Sequence, residues 1–285
     1  MQAILDYELS LGIPPGWVNH CISASKPNGF FHRLETGSIP MDAAFFAGFS
    51  ADLHRQDLWE AFYLAQHKKN PSLYPLTGSK NNTPPPLPKL DAEFLFNDMM
   101  RTAQTPDPWM FPALKALHSS GKYMTAALSN TVIFPEGHPL YVPPPPTAES
   151  SVATPSTLAF NPLRAVFDVF VSSAHVGLRK PDPRIYRLAL DEVNKFAKAN
   201  ADTQRGRALD WGADEIRPHD ILFLDDIGEN LKAARQAGFQ TIKVPLGKAY
   251  EAVEQLEEIT GLELAGDHPK IPIKPNFRVK KQAKI

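Results

Sequence analysis

Apolar positions recur at helical spacing through the first hundred residues, then give way to short continuous runs. Ile4, Leu5, Leu9 and Leu11 predict a helix over 2–11, stopped by Gly12 and barred from resuming by Pro14-Pro15. A second helical stretch runs from about Phe30 to Leu34. A third, from Met41 to about Ala65, carries Phe45, Phe46, Phe49, Leu53, Trp59, Phe62 and Tyr63. Further helices are predicted from Asp91 to about Thr102 and from Pro108 to Ser119. No strand-like alternation precedes residue 105, so the first third reads as all helical. Tyr123–Leu128 then reads as a buried strand, and Ala165–Val171, Ile221–Leu224 and Phe239–Val244 as three more. Helices fall between and after them, from Pro183 to about Ala197, up to Gln236 with Gly238 beyond, and from Ala249 to Ile259. Strands alternating with helices imply an α/β fold with a parallel, doubly wound sheet. In such sheets the chemistry sits at the carboxyl ends of the strands.

Proline divides these regions. The chain has 28, about twice the usual share of roughly 5%. They cluster in 68–89 and in an insertion at about 134–157, neither able to form helix or central strand. The expected organisation is a helical region over 1–104, an α/β region over 105–262, and a tail over 263–285. From Lys270 to Lys284 the tail holds six Lys/Arg and no acid, and is expected to be a solvated terminus.

Composition narrows the partners. With 43% hydrophobic residues the chain can bury a sizeable core, and its formal net charge of −1 points to neither a nucleic-acid nor a membrane-surface partner. No run reaches the roughly 18 apolar residues a transmembrane helix needs, and the N-terminus lacks a signal-peptide pattern. Cys21, the single cysteine, cannot form an intramolecular disulfide and is not expected to be catalytic. Together these predict a cytoplasmic protein in a reducing compartment.

Candidate chemistry lies at the strand ends. After the first strand, the Ser129 hydroxyl and the backbone amides of Ser129-Asn130-Thr131 suit an anionic oxygen. After the second, Lys180 precedes Pro181-Asp182-Pro183 and a helix start, placed to neutralise a developing charge. The third ends in Asp225-Asp226. Two adjacent carboxylates repel unless a cation compensates, and an oxygen-only set of this kind suits magnesium.

The ordered set Leu128-Ser129-Asn130, Gly177-Leu178-Arg179-Lys180-Pro181-Asp182-Pro183-Arg184-Ile185-Tyr186 and Phe223-Leu224-Asp225-Asp226-Ile227-Gly228-Glu229-Asn230-Leu231 resembles the second to fourth motifs of the haloacid-dehalogenase-like hydrolases. Within them it is most similar to the branch containing the N-terminal phosphatase domain of soluble epoxide hydrolases. Tyr7-Glu8, Gly12-Ile13-Pro14-Pro15-Gly16 and Arg33-Leu34-Glu35-Thr36-Gly37 also resemble that branch's helical cap. The resemblance spans roughly 2–66 and 90–262. It implies a Rossmann-like core beneath an N-terminal cap and an aspartyl-phosphate mechanism on Mg2+, with a small phosphorylated molecule as substrate. It further implies that Ser129 and Asn130 bind the phosphoryl group and that Lys180 stabilises its charge. Asp226 would ligate magnesium, and Asp225 would act through water or orient Lys180. Asn230 would help shape the site. The receiver domains of two-component signalling, which also combine these residue types, place the acidic pair first in the chain.

One motif is absent. The family's first strand ends in Asp-x-Asp, whose first Asp is the nucleophile, and no Asp-x-Asp occurs in this sequence. The nearest form, Asp6-Tyr7-Glu8, falls in the first predicted helix. The normally central first strand is therefore expected to be missing, leaving its neighbours without ladder partners. An incomplete sequence, a non-catalytic pseudoenzyme acting as a binding protein, and a displaced nucleophile are the competing explanations. A carbon–halogen hydrolase remains open beside the phosphatase, because the cap selects the chemistry.

Overall fold

A computed structural model of the chain describes residues 2–77, 83–141 and 163–277. The chain divides into two compact units. The first takes residues up to Arg33, Met41–Thr105 and the chain from Lys274, and the second takes Leu34–Pro40 and Pro106–Ile273.

The first unit is helical. In chain order come α1 (Gln2–Ser10), α2 (Trp17–Ala24), α3 (Phe30–Glu35), which runs across the division, α4 (Ala43–Leu53), α5 (Gln56–Lys69) and α6 (Ala92–Thr102). Helix α2 was not expected, because Pro14-Pro15 reads as a stop. It restarts two residues later under a long-range cap: the Glu8 carboxylate accepts from the amides of Gly16 (2.8 Å) and Val18 (2.8 Å). That role explains a buried glutamate, whose pKa burial holds above the ordinary range against the pull of those amides. The stretch from Met41 to Ala65, expected as one helix, breaks at His54-Arg55. His54 Nδ1 meets the Ser50 carbonyl at 2.7 Å and Nε2 takes the Leu90 amide at 3.0 Å, so the ring holds the break open.

The Asp42 side chain caps α4 by accepting from the Phe45 amide at 2.9 Å. One turn apart on that helix, Phe45, Phe49 and Leu53 are buried, and Phe96 of α6 meets Phe45 edge-on at 5.2 Å. Trp17 and Trp59 pack T-shaped at 5.1 Å, their indole N–H groups donating to the carbonyls of Leu53 and Pro85. Between α5 and α6 the described residues are irregular apart from one bridge, Thr77 to Thr83.

Cys21, fully buried in α2, has its thiol pKa pushed up to about 12, chiefly by burial. The folded chain is therefore expected to resist a thiol reagent such as DTNB near pH 8, reacting at least about 1000-fold more slowly than in denaturant. Comparable rates in both states would show that α2 opens freely.

The second unit is α/β. Its helices and strands run α7 (Met110–Ser119), β1 (Ala126–Ser129), β2 (Val169–Ser172), α8 (Ser173–Val176), α9 (Pro183–Ala199), α10 (Gln204–Ala208), β3 (Leu222–Asp225), α11 (Gly228–Gln236), β4 (Gln240–Lys243) and α12 (Tyr250–Thr260). Two expected strands start later than their apolar runs. Ala165 and Val166 lie in a 3-10 turn, and β2 begins only at Val169. Before β1, Thr125 is drawn into a local network: its amide donates to Asp168 Oδ2 and its hydroxyl to the Val166 carbonyl.

Strand pairing is parallel throughout but falls into two ribbons, β1 with β2 and β3 with β4, and among the described residues no strand joins them. Side chains alternate across the β3 ribbon. Leu222 and Leu224 pack with α7 and α12, while Phe223 packs with α9 and α11 around Tyr186 and Phe239. Helix α9 starts at Pro183 behind an Asp182 cap and buries Ile185, Ala189, Val193 and Ala197 at four-residue steps.

The proline-rich insertion lies outside the described residues from 142 onward. The start of the tail is not free: Leu264 is buried, the Pro269 carbonyl accepts from the Trp109 indole, and the Ile273 amide donates to Gly247. From Lys270 to Phe277 the described residues are exposed except Pro272, in line with a solvated terminus, while these hydrogen bonds tie the start of the tail to α7 and the α12 region. No helix of the described residues is long and apolar enough to cross a membrane.

Candidate active site

Of the six residues singled out in the sequence, Asn130, Lys180, Asp225 and Asn230 are joined by hydrogen bonds where β1 and β3 end, and Ser129 and Asp226 stand next to them in the chain. Lys180 is the hub. Its ammonium donates to Asp225 Oδ2 at 2.7 Å, with the two side chains 11% and 5% exposed. Below it the Phe223 ring lies 5.4 Å from the same nitrogen. The loop carrying Lys180 is gripped from β1: its amide donates to Asn130 Oδ1 at 2.8 Å, and its carbonyl accepts from Asn130 Nδ2 at 3.2 Å. Both polar groups of Asn130 are thus engaged with the Lys180 backbone, and the residue positions the lysine.

Asp225 is saturated. Besides Lys180 it accepts from the Ile227 amide at 2.8 Å and from Asn230 Nδ2 at 3.1 and 3.2 Å. A carboxylate has about four lone-pair directions, and those of Asp225 are taken by protein donors. Asn230 is buried, and its carbonyl accepts from Tyr186 Oη at 2.9 Å, tying the start of α11 to α9.

Two groups remain for a ligand. Ser129 closes β1 opposite Ser172, and its hydroxyl makes no hydrogen bond among the described residues. Asp226 is exposed as a residue, yet partial burial of its surroundings and then the neighbouring Asp225 carboxylate hold its pKa above the ordinary range. A nearby cation would relieve that repulsion. Magnesium keeps most of its waters and commonly takes one or two protein carboxylates with substrate phosphate, and Asp226 meets that minimal requirement. Among the described residues there is no cluster of three or more His, Cys, Asp or Glu fit to hold a metal alone.

Sequence reasoning missed a second ion pair beside the site. Arg179 binds Glu35 Oε2 through Nε at 2.9 Å and a terminal nitrogen at 2.8 Å. Burial keeps the Glu35 carboxyl above its ordinary range while Arg179 acts against it. The Glu35 carbonyl accepts from Ser173 Oγ at 2.6 Å. Two residues on, Gly37 has φ +63°, and a Cβ there would lie 2.1 Å from the Ala174 carbonyl oxygen, so only glycine fits. Both Arg179 and Glu35 stand in quoted motifs, but their pairing spans 144 residues and leaves no local signal. Nor did sequence reveal the hydroxyl chain from Thr131 to Ser172 (2.5 Å) to His175 Nδ1 (2.7 Å) behind β2.

No family model matches the chain. Among curated proteins, it is 32% identical over 110 residues to rat bifunctional epoxide hydrolase 2, covering 39% of this chain and 16% of that protein. The pig protein of the same name matches at 34% over 102 residues, covering 36% and 14%. Mouse acyl-CoA dehydrogenase family member 10 matches at 36% over 107 residues, covering 37% and 8%. The chain thus spans a small part of the length of the curated relatives it matches. A dehalogenase crystal structure aligns at TM-score 0.40 and 17% identity, covering 85% of this chain and 80% of that one. A predicted HAD-like family hydrolase from Porphyromonas gingivalis aligns at 0.35 and 19%, covering 85% and 90%. Those two scores are too low to decide topology. Over part of its length, then, the chain is similar in sequence to the haloacid-dehalogenase-like N-terminal domain of bifunctional epoxide hydrolase 2.

Proposed function

We propose that this chain carries the phosphoryl-binding half of a magnesium-dependent haloacid-dehalogenase-like phosphatase. The observation that supports it most is the Lys180–Asp225 pair, locked by Asn130 and Asn230, with Ser129 and Asp226 next to it in the chain. In this reading Ser129 donates to a phosphoryl oxygen, and Lys180, oriented by Asp225, offers a remaining N–H to the same group. Asp226 holds magnesium, which when bound neutralises phosphate charge. None of these groups replaces a carboxylate nucleophile, so the 285-residue chain is expected to bind phosphate and turn over little of it. The missing Asp-x-Asp also favours a second reading, a pseudoenzyme that binds phosphorylated molecules without hydrolysing them.

Calorimetric titration of inorganic phosphate into the full chain, with and without magnesium, tests the binding claim common to both. Ser129→Ala should weaken binding by about tenfold, the worth of one charge-assisted hydrogen bond. Asp226→Asn should remove the magnesium dependence. Phosphate binding that ignores both substitutions, or none at all, would sink the reading.

A further inference from the structure

We infer that Thr131 is a further anion-binding residue of this site and that His175 positions its proton, so that a dianion binds more tightly once His175 Nδ1 is protonated. This rests on the phosphoryl-binding reading above and adds to it one donor and the group that controls it. Three polar side chains at the carboxyl end of the β1–β2 ribbon form one line. Thr131 Oγ1 meets Ser172 Oγ at 2.5 Å, and Ser172 Oγ meets His175 Nδ1 at 2.7 Å. Ser172 is the register partner of Ser129, so both side chains leave the same face of the ribbon. Thr131 follows Ser129 by two residues, no more than about 7 Å along the backbone. A hydrogen bond of about 2.7 Å from each hydroxyl lets one tetrahedral anion bridge the two. The Thr131 amide cannot serve, because it donates to Ser173 Oγ at 2.8 Å, and Ser173 donates to the Glu35 carbonyl at 2.6 Å. With that backbone pinned and Thr131 half-buried, its hydroxyl is the group an anion can meet.

Counting protons gives His175 its role. Each hydroxyl has one proton to donate. With Nδ1 bare, Ser172 donates to the imidazole and Thr131 donates to Ser172, which leaves Thr131 nothing for a ligand. With a proton on Nδ1 the line reverses. His175 donates to Ser172, Ser172 donates to Thr131, and the Thr131 proton is released toward an anion. Ser172 is 1% exposed, so bulk water does not compete for its proton. A neutral ring carries its proton on either nitrogen, whereas the imidazolium always has Nδ1–H. Burial holds the His175 pKa below its ordinary value, so the ring is neutral near pH 7 and charges only as the pH falls. Strand β2, on which α8 packs, carries no titratable side chain. Of the charged residues at this end, Glu35 from α3 pairs with Arg179, and Lys180 pairs with Asp225 from β3. Glu35 and Asp226 also bind protons above the ordinary carboxylate range, and a comparison of variants separates them from His175.

The test titrates sulfate, a stand-in for phosphate that stays a dianion throughout, into the full chain at fixed magnesium, at about pH 7.5 and about pH 5. Wild-type affinity should rise about tenfold at the lower pH. Thr131→Val should lose that gain and bind about tenfold more weakly there, while Thr131→Ser should keep it. Ser172→Ala cuts the line and frees the Thr131 proton at both pH values. It should therefore bind sulfate at pH 7.5 more tightly than wild type, with a flat profile, whereas a merely structural serine would lower affinity. In nitrogen-15 spectra near pH 7, sulfate should move His175 Nδ1 of the wild type toward the protonated form, and should not do so in Thr131→Val. An unchanged profile in Thr131→Val, wild-type pH dependence in Ser172→Ala, or an Nδ1 that ignores sulfate would overturn the inference. If Ser129→Ala weakens binding while Thr131→Val does not, this inference falls and the phosphoryl reading stands. Sulfate binding indifferent to both, or none in the wild type, sinks the two together.

Discussion

Fusing an apolar strand that ends in Asp-x-Asp to the amino end, through about 15–20 residues in all, should raise magnesium-dependent hydrolysis of a small aryl phosphate by roughly a thousandfold or more. In the proposed reading, Ser129, Lys180 oriented by Asp225, and Asp226 position and neutralise a phosphoryl group. Such parts leave a residual rate, as they do in other enzymes stripped of their nucleophile, but the covalent step needs a carboxylate in line with the leaving oxygen. Replacing the first Asp of the added motif with Asn should return turnover to the level of the unextended chain, and Asp226→Ala should weaken the magnesium dependence. The opposite result has a specific form. Robust turnover by the 285-residue chain, abolished by Asp6→Asn, would make Asp6 the nucleophile. Against that, Asp6 lies within α1, not at a strand end, and its carboxylate accepts from Gln2 Nε2 at 2.6 Å.

Lys180→Met should cost about 3–5 kcal/mol of unfolding free energy, the usual cost of stranding one charge of a buried pair. Lys180 and Asp225 are almost fully enclosed, and without the ammonium the carboxylate keeps only the Ile227 amide and Asn230. The double variant Lys180→Met/Asp225→Leu should recover about 1–3 kcal/mol of that loss, since an apolar pair needs no partner. Recovery should stay incomplete, because Asn230 Nδ2 and the Ile227 amide are then left without an acceptor. Urea denaturation of the three chains measures this. A single-variant loss below about 1 kcal/mol would put the pair in the class of exposed ion pairs.

The periodic elements were legible because their signals are local. Helix α9 shows apolar residues at four-residue steps behind an Asp-Pro start, and β3 shows a short apolar run ending in acid. Errors arose where a distant partner decides the local conformation. Glu8 caps α2 across the proline pair, and His54 interrupts a helix that contains no breaker by bonding the Leu90 amide. Asp168, 43 residues away, takes the Thr125 amide and delays β1. The site divides in the same way. Residue types at strand ends pointed to Lys180 and Asp225, but not to Asn130 being occupied by the Lys180 backbone, nor to the Glu35–Arg179 pair. Those relations depend on how loops meet.

Splitting one sheet into two ribbons also changes how the molecule should behave in concentrated solution. A continuous sheet has two edges, and the described residues present four. The outer edge strand β4, Gln-Thr-Ile-Lys, carries exposed polar and charged side chains, the kind of gatekeeping that discourages edge-to-edge pairing. The inner edges have little of it: β1 reads Ala-Ala-Leu-Ser, and β3 offers Leu-Phe-Leu before its aspartate. Any opening of α7 or α12 would bare two unguarded apolar templates at once. Aggregation on mild heating should therefore start there, well before the helical unit melts, and should spread by strand addition rather than by amorphous clumping.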